Sequence, residues 1–138
     1  MQKVFVKSVF LRYNSMREDF RMSTYELINF KRGFLPLIIL SLLSDSDMYG
    51  YQIVQEIARQ SQGKFVTQEG SLYPVLYKLL EGQYITSYDT LVAKRMRRVC
   101  YHIEETGRQY LSQLLASYEE QMQGIDLLLK REMRNKVQ

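Results

Sequence analysis

Apolar positions along the chain fall into blocks of differing period. Residues 34–43, "FLPLIILSLL", are almost continuously apolar, which predicts a short buried helix. Ser23 and Glu26 stand three apart just before it and form a capping box, so a helix is expected to start there, interrupted at Gly33 and Pro36. In "DSDMYGYQIVQEIARQSQG", Asp47 is the expected N-cap, Ile53, Val54 and Ile57 make one stripe, and Gly63 is the stop. "KFVT" has the length of a short strand only. Residues 69–80, "EGSLYPVLYKLL", put Leu72, Leu76, Leu79 and Leu80 at helical spacing, with Pro74 inside the helix. From Tyr84 the period shortens. "YITSYDTL" and "RRVCYHI" are rich in β-branched and aromatic residues and read as a hairpin closed by "VAKRM". Val99, Tyr101 and Ile103 share one face, expected to be the buried one; Cys100 and His102 share the other.

The last block, from about Glu105 to Met133, is a long helix. Leu111, Leu115, Tyr118, Met122, Ile125 and Leu129 alternate four- and three-residue steps, a seam with a period close to 3.5. The preceding elements are too small to cover it, so the seam predicts a second copy of the chain, a homodimer. Residues 1–22 carry Phe5, Val9, Tyr13, Met16 and Phe20 at helical spacing, which fits either a docked helix or a translated leader ahead of Met22. The expected organisation is therefore an N-terminal extension over 1–22, a domain of helices and one hairpin over 23–104 and a C-terminal dimerisation helix over 105–138. The fold class is mainly α, with a small β-hairpin wing.

Composition narrows the function. The chain has 138 residues, 46% hydrophobic and 25% charged, enough for one domain with a true core. No apolar run reaches the length of a bilayer span, and no secretory pattern opens the chain, since Lys7 and Arg12 interrupt its apolar residues. With Cys100 the only cysteine, no disulfide forms within the chain, which suits a reducing, cytoplasmic setting. One His and one Cys do not make a zinc set, and no Gly-rich phosphate loop is present, so no metal or cofactor is expected. Cys100 and His102 lie two apart on a strand, roughly 7 Å, too far for a nucleophile–base pair. An enzyme is the weakest reading.

A net charge of +4 and a pI near 9.2 permit an anionic partner without requiring one. Its placement adds more. Lys94, Arg95, Arg97 and Arg98 fall within five residues at the hairpin tip. The order helix, helix, short strand, helix, hairpin is that of a winged helix, whose hairpin tip projects beside the third helix where duplex DNA would pass, so residues 23–104 are expected to be a winged-helix DNA-binding domain. Thr67 is the expected N-cap of that third helix, leaving free amides at Gln68, Glu69 and Gly70. Pro74 removes the donor to the Gly70 carbonyl and loosens the first turns. A helix N-terminus of this kind favours phosphate, with Ser71, Tyr73, Tyr77 and Lys78 available around it.

At these residues the chain resembles the PadR family of winged-helix transcriptional regulators. "FLPLIILSLLSDSDMYGYQIVQEI", "EGSLYPVLYKLLEGQYI" and "RRVCYHIEETGRQYL" carry the resemblance. It implies a homodimeric repressor of an inverted-repeat operator in double-stranded DNA, released by a small hydrophobic or phenolic effector. It also implies that Tyr49 approaches the DNA backbone. Gln68, Ser71, Tyr73, Tyr77 and Lys78 would lie on the recognition helix, and Lys94, Arg95, Arg97 and Arg98 in the wing. The chain departs from the family pattern at "RMRR", which lacks the usual Gly and Pro. It departs again at Gln83, where members place the glycine that closes the recognition helix, and at Glu104, where Thr is common. A protein-interaction adaptor built on the same fold is the alternative reading.

Overall fold

The computed structural model describes residues 23–93 and 96–137. The expected extension over residues 1–22 and the wing residues Lys94 and Arg95 lie outside the described residues. The chain divides into two compact units, one spanning residues 27–115 and the other holding residues 23–26 and 116–137 of the described chain.

Helix α1 runs Thr24–Arg32 and begins at the expected capping box. The Glu26 amide donates to Ser23 Oγ at 3.1 Å, and the Ser23 amide donates to Glu26 Oε2 at 2.8 Å. Those bonds, chiefly the one from the backbone, hold the Glu26 carboxyl below its usual value. The chain breaks at Gly33 and Phe34 and restarts as α2, Leu35–Asp45, with Pro36 in the first turn, where a missing N–H costs nothing. Leu35, Ile39, Leu40 and Leu43 from this helix are almost fully buried.

The segment after α2 differs from expectation. Asp47 does not cap a helix. Met48–Tyr49 form a strand, β1, and α3, Gly50–Gln60, starts directly from it with Tyr49 at the N-cap. The Tyr49 amide donates to Gln52 Oε1 at 2.9 Å, so glutamine does the capping. The Asp47 carboxylate is taken up instead by the hairpin described below. Helix α3 stops as predicted: the Gly63 amide reaches the Ala58 carbonyl and the Gln62 amide the Arg59 carbonyl, with Gln62 and Gly63 both at positive φ.

"KFVT" is not a strand. Ser61 Oγ donates to the Phe65 carbonyl and accepts from the Phe65 amide, each at 3.0 Å, so this residue's backbone is satisfied locally and offers no ladder to a neighbour. Helix α4, Glu69–Glu81, begins one residue later than the sequence suggests. Thr67 is buried and does not cap it; Gln68 takes the N-cap position, and its carbonyl accepts from both Ser71 and Leu72. Leu72, Leu76 and Leu79 enter the same core as the α2 residues and Ile53 and Ile57 of α3.

The exit of α4 shows how the displaced glycine is tolerated. Gln83 itself adopts φ 60°, and the Tyr84 amide bonds the Leu79 carbonyl while Gln83 bonds Leu80. The motif that glycine usually supplies is built with glutamine. Gly82 serves a different need: a Cβ there would stand 2.5 Å from the Tyr84 ring.

Strands β2, Ile85–Ala93, and β3, Met96–Ile103, form the expected hairpin, with an irregularity between Leu91 and Ala93. The sheet is antiparallel with order β1-β3-β2, and Tyr49 pairs with Cys100. Tyr101 and Ile103 are buried as expected, but Val99 is exposed and Cys100 is buried. The alternation is intact; the coverage differs. Cys100 lies on the central strand between Tyr49 and Tyr88, whereas Val99 lies where the hairpin projects past the core.

Helix α5, Glu105–Val137, closes the chain. Its first turn packs so tightly on the connection between α4 and β2 that a Cβ at Gly107 would collide with the Tyr84 backbone carbonyl. Tyr84 and Tyr110 stack at 4.3 Å, and Leu111 joins the core. Glu104 does not cap α5 with its side chain, which accepts from Thr86 Oγ1 at 2.7 Å. In the outer unit, Tyr118, Ile125 and Leu129 are exposed and Met122 is half-buried; Leu127 and Leu128, outside the predicted seam, are also exposed.

Candidate nucleic-acid interface

Helix α4 divides cleanly between a buried row and an exposed one. Leu72, Val75, Leu76 and Leu79 face the core, while Gln68, Glu69, Gly70, Pro74, Tyr77 and Lys78 are exposed. Ser71 and Tyr73 are half-buried between the two rows. Pro74 stands in the exposed row, so the Gly70 carbonyl it leaves without a helical donor is on the side open to water. No atom lies within 4 Å of a Cβ placed at Gly70, which keeps the helix start open to an approaching group. The Ser71 amide already bonds the Gln68 carbonyl, so the first-turn amides left to face a ligand are those of Glu69 and Gly70. Tyr73 and Tyr77 stack along the helix at 6.4 Å. The Tyr73 hydroxyl comes so near Gly50 that a Cβ there would stand 3.2 Å away, which draws the starts of α3 and α4 together.

The wing adds two arginines from one strand. Arg97 is exposed opposite Leu91; Arg98 is half-buried opposite Thr90, on the other face. The Arg98 guanidinium lies over the Tyr49 ring at 5.8 Å and the Tyr51 ring at 6.0 Å. Thr90 Oγ1 donates to the Tyr49 hydroxyl at 3.0 Å, so the residue expected at the DNA backbone is tied to the wing. Tyr51 is the member of this group that sequence reasoning missed. Its signal was the second tyrosine of "MYGY", two positions after Tyr49.

A second polar group fastens the base of the hairpin. The Tyr88 hydroxyl donates to Asp47 Oδ2 at 2.6 Å, and His102 Nδ1 lies 2.7 Å from Asp47 Oδ1. The Asp47 carboxyl is held below its usual value, chiefly by the Tyr88 bond, and the Tyr88 phenol is pushed well above its own, chiefly by Asp47. His102 is thus engaged with Asp47, and Cys100 is buried, which leaves no nucleophile–base pair there. Among the described residues no group of three or more His, Cys, Asp and Glu side chains is placed to hold a metal ion. No single helix among them is long and apolar enough to cross a membrane.

Known proteins resemble this chain in sequence and in fold. The model of the transcriptional regulator PadR-like family matches residues 39–113, more than half of the chain. An uncharacterised protein of Lysinibacillus sphaericus is 36% identical over 99 residues, which span 72% of this chain and 91% of that protein. The structure of a transcriptional regulator from Clostridium thermocellum matches with a TM-score of 0.66 at 34% identity, covering 71% of this chain and 95% of that one. Bacillus subtilis PadR, solved in complex with operator DNA, matches with a TM-score of 0.55 at 26% identity, over 59% of this chain and 46% of that one.

Proposed function

We propose that this chain, which belongs to the transcriptional regulator PadR-like family, is a sequence-specific DNA-binding regulator that acts as a homodimer. The observation that carries the proposal is the division of α4: its leucines fill the core while Gln68, Tyr77 and Lys78 remain exposed on one helix beside a wing bearing Arg97 and Arg98. The operator complex of the Bacillus subtilis relative supports the same reading. On this reading α4 would enter the major groove, with Gln68, Ser71, Tyr73, Tyr77 and Lys78 at base edges and nearby phosphates. Tyr49 and the wing residues Lys94, Arg95, Arg97 and Arg98 meet the phosphate backbone. The seam from Leu111 through Leu115, Tyr118, Met122, Ile125 and Leu129 joins two copies across an inverted repeat, and Leu111 also serves its own core. The regulator represses, and a small hydrophobic or phenolic effector releases it.

Fluorescence anisotropy across a salt titration tests this, using duplex DNA from upstream of the chain's own gene and an unrelated duplex. Arg97→Ala should weaken both alike and flatten the log K against log salt slope by roughly 0.9 per protomer. Gln68→Ala or Tyr77→Ala should cost roughly 1–3 kcal/mol on the cognate duplex only. Unaltered binding in all of these variants, or no binding by the wild type, would transfer the fold to the protein-interaction adaptor reading.

A further inference from the structure

Arg97 and Arg98 are adjacent in sequence and equal in charge, yet among the described residues only Arg98 has aromatic partners. Arg98 sits against two tyrosine rings that are themselves fixed. Tyr49 is tied through its hydroxyl to Thr90 and through its amide to Gln52. The Tyr51 hydroxyl accepts from Gln55 Nε2 at 2.6 Å, one turn along α3. Among the described residues no carboxylate oxygen lies within 4.0 Å of the Arg98 guanidinium. The rings therefore restrain the cation without cancelling its charge. A carboxylate in their place would hold it as firmly but would have to be displaced by an incoming anion. An arginine that is immobilised and still uncompensated loses less freedom on meeting a phosphate, and planar guanidinium groups suit both ring faces and phosphate oxygens.

We propose that Tyr51 is a positioning residue for DNA binding: with Tyr49 it brackets the Arg98 guanidinium and presents it to a phosphate of the duplex. This rests on the DNA-binding reading above and adds a residue to it. The bracket also joins the start of α3 to the wing, so the wing arginine is held in register with the helical part of the interface. Arg97, on the opposite face of β3, has no such support and contributes charge without a fixed direction.

The test is a double-mutant cycle read by anisotropy on the upstream duplex and on an unrelated duplex, at low and moderate salt. Tyr51→Leu, which removes the ring face and keeps an apolar side chain, should weaken both complexes by about three- to tenfold. Tyr51→Phe should stay within about twofold of wild type, because it keeps the ring. In an Arg98→Ala background Tyr51→Leu should cost nothing further, whereas in an Arg97→Ala background its loss should persist in full. Tyr51 is about half exposed, so the fold should survive; circular dichroism checks this, and Tyr51→Gln provides a second ring-free variant if leucine disturbs packing. Wild-type affinity in both ring-free variants overturns the proposal. So does a loss that adds fully to Arg98→Ala, or a loss in Tyr51→Phe equal to that in Tyr51→Leu, which would assign the effect to the hydroxyl. Absence of binding by the wild type to either duplex would remove the underlying DNA reading instead, and the bracket with it.

Discussion

Helix α4 and the outer part of α5 carry large apolar residues at the same three- and four-residue spacing, and their exposure is opposite. Leu72, Leu76 and Leu79 are 0%, 0% and 4% exposed; Leu115, Ile125 and Leu129 are 42%, 42% and 51% exposed. Periodicity says which residues share a face. It does not say whether anything covers that face. For α4 the cover is α2 and α3, and the resulting stability belongs to the single chain. The outer seam residues keep about half of their surface open, and any stabilisation from a second copy on them would depend on protein concentration.

Substitutions can break this contrast, beginning with the most severe. Leu76→Ala empties a fully buried site and should lower the stability of the fold by about 2–5 kcal/mol, read as a drop in melting temperature relative to wild type that is the same at every protein concentration. If that drop changes with concentration, the two regions are not energetically distinct. Leu115→Lys should leave the fold intact but give a monomer by sedimentation. Loss of two-site attachment should then weaken binding to the upstream duplex about a hundredfold or more. An intact dimer would refute the seam. Gly82→Ala drives a methyl group into the Tyr84 ring and should cost about 1–3 kcal/mol, without any change in assembly. Gln83→Gly relieves a left-handed residue and should stabilise the fold by about 1 kcal/mol, visible as a higher denaturant midpoint at unchanged slope.

The smallest effect is one that acid removes. Because the Asp47 carboxyl titrates below its ordinary value of 3.8 in the folded chain, its bonds to Tyr88 and His102 contribute at neutral pH. That contribution fades as the pH falls through the depressed value. Asp47→Asn should therefore flatten the acid limb of a plot of melting temperature against pH and lower the neutral plateau slightly. A limb as steep as that of wild type would show that the hairpin base is not held by this carboxylate.

Much of the fold was legible because strong local signals agreed with the tertiary outcome. The Ser23–Glu26 box, the break at Gly33 and Pro36, the stop at Gly63 and the two long hairpin strands all belong to this class. The failures share a cause. Asp47 was the better N-cap by residue type, yet Tyr88 and His102 drew its carboxylate away from α3 over a sequence distance no local rule spans. β1 escaped notice because two residues are too few to show alternation. Val99 and Cys100 exchanged environments because coverage of a strand face depends on its neighbours, which the strand's own pattern does not contain. For the candidate site, the sequence pointed to the exposed residues of α4 and to the wing arginines, but treated Arg97 and Arg98 as equivalent. Only the placement of Tyr49 and Tyr51 beside β3 separates them.

The hydroxyl of Ser61 has a consequence for motion. It closes both the amide and the carbonyl of Phe65 with one oxygen. Solvent reaches that amide only when Ser61 lets go, and letting go costs both bonds together. The connection between α3 and α4 should then open in a single step instead of fraying residue by residue. An amide in the middle of a loop would exchange its hydrogen as slowly as those in the flanking helices. The turn that follows α3 would then keep its shape while a duplex approaches α4.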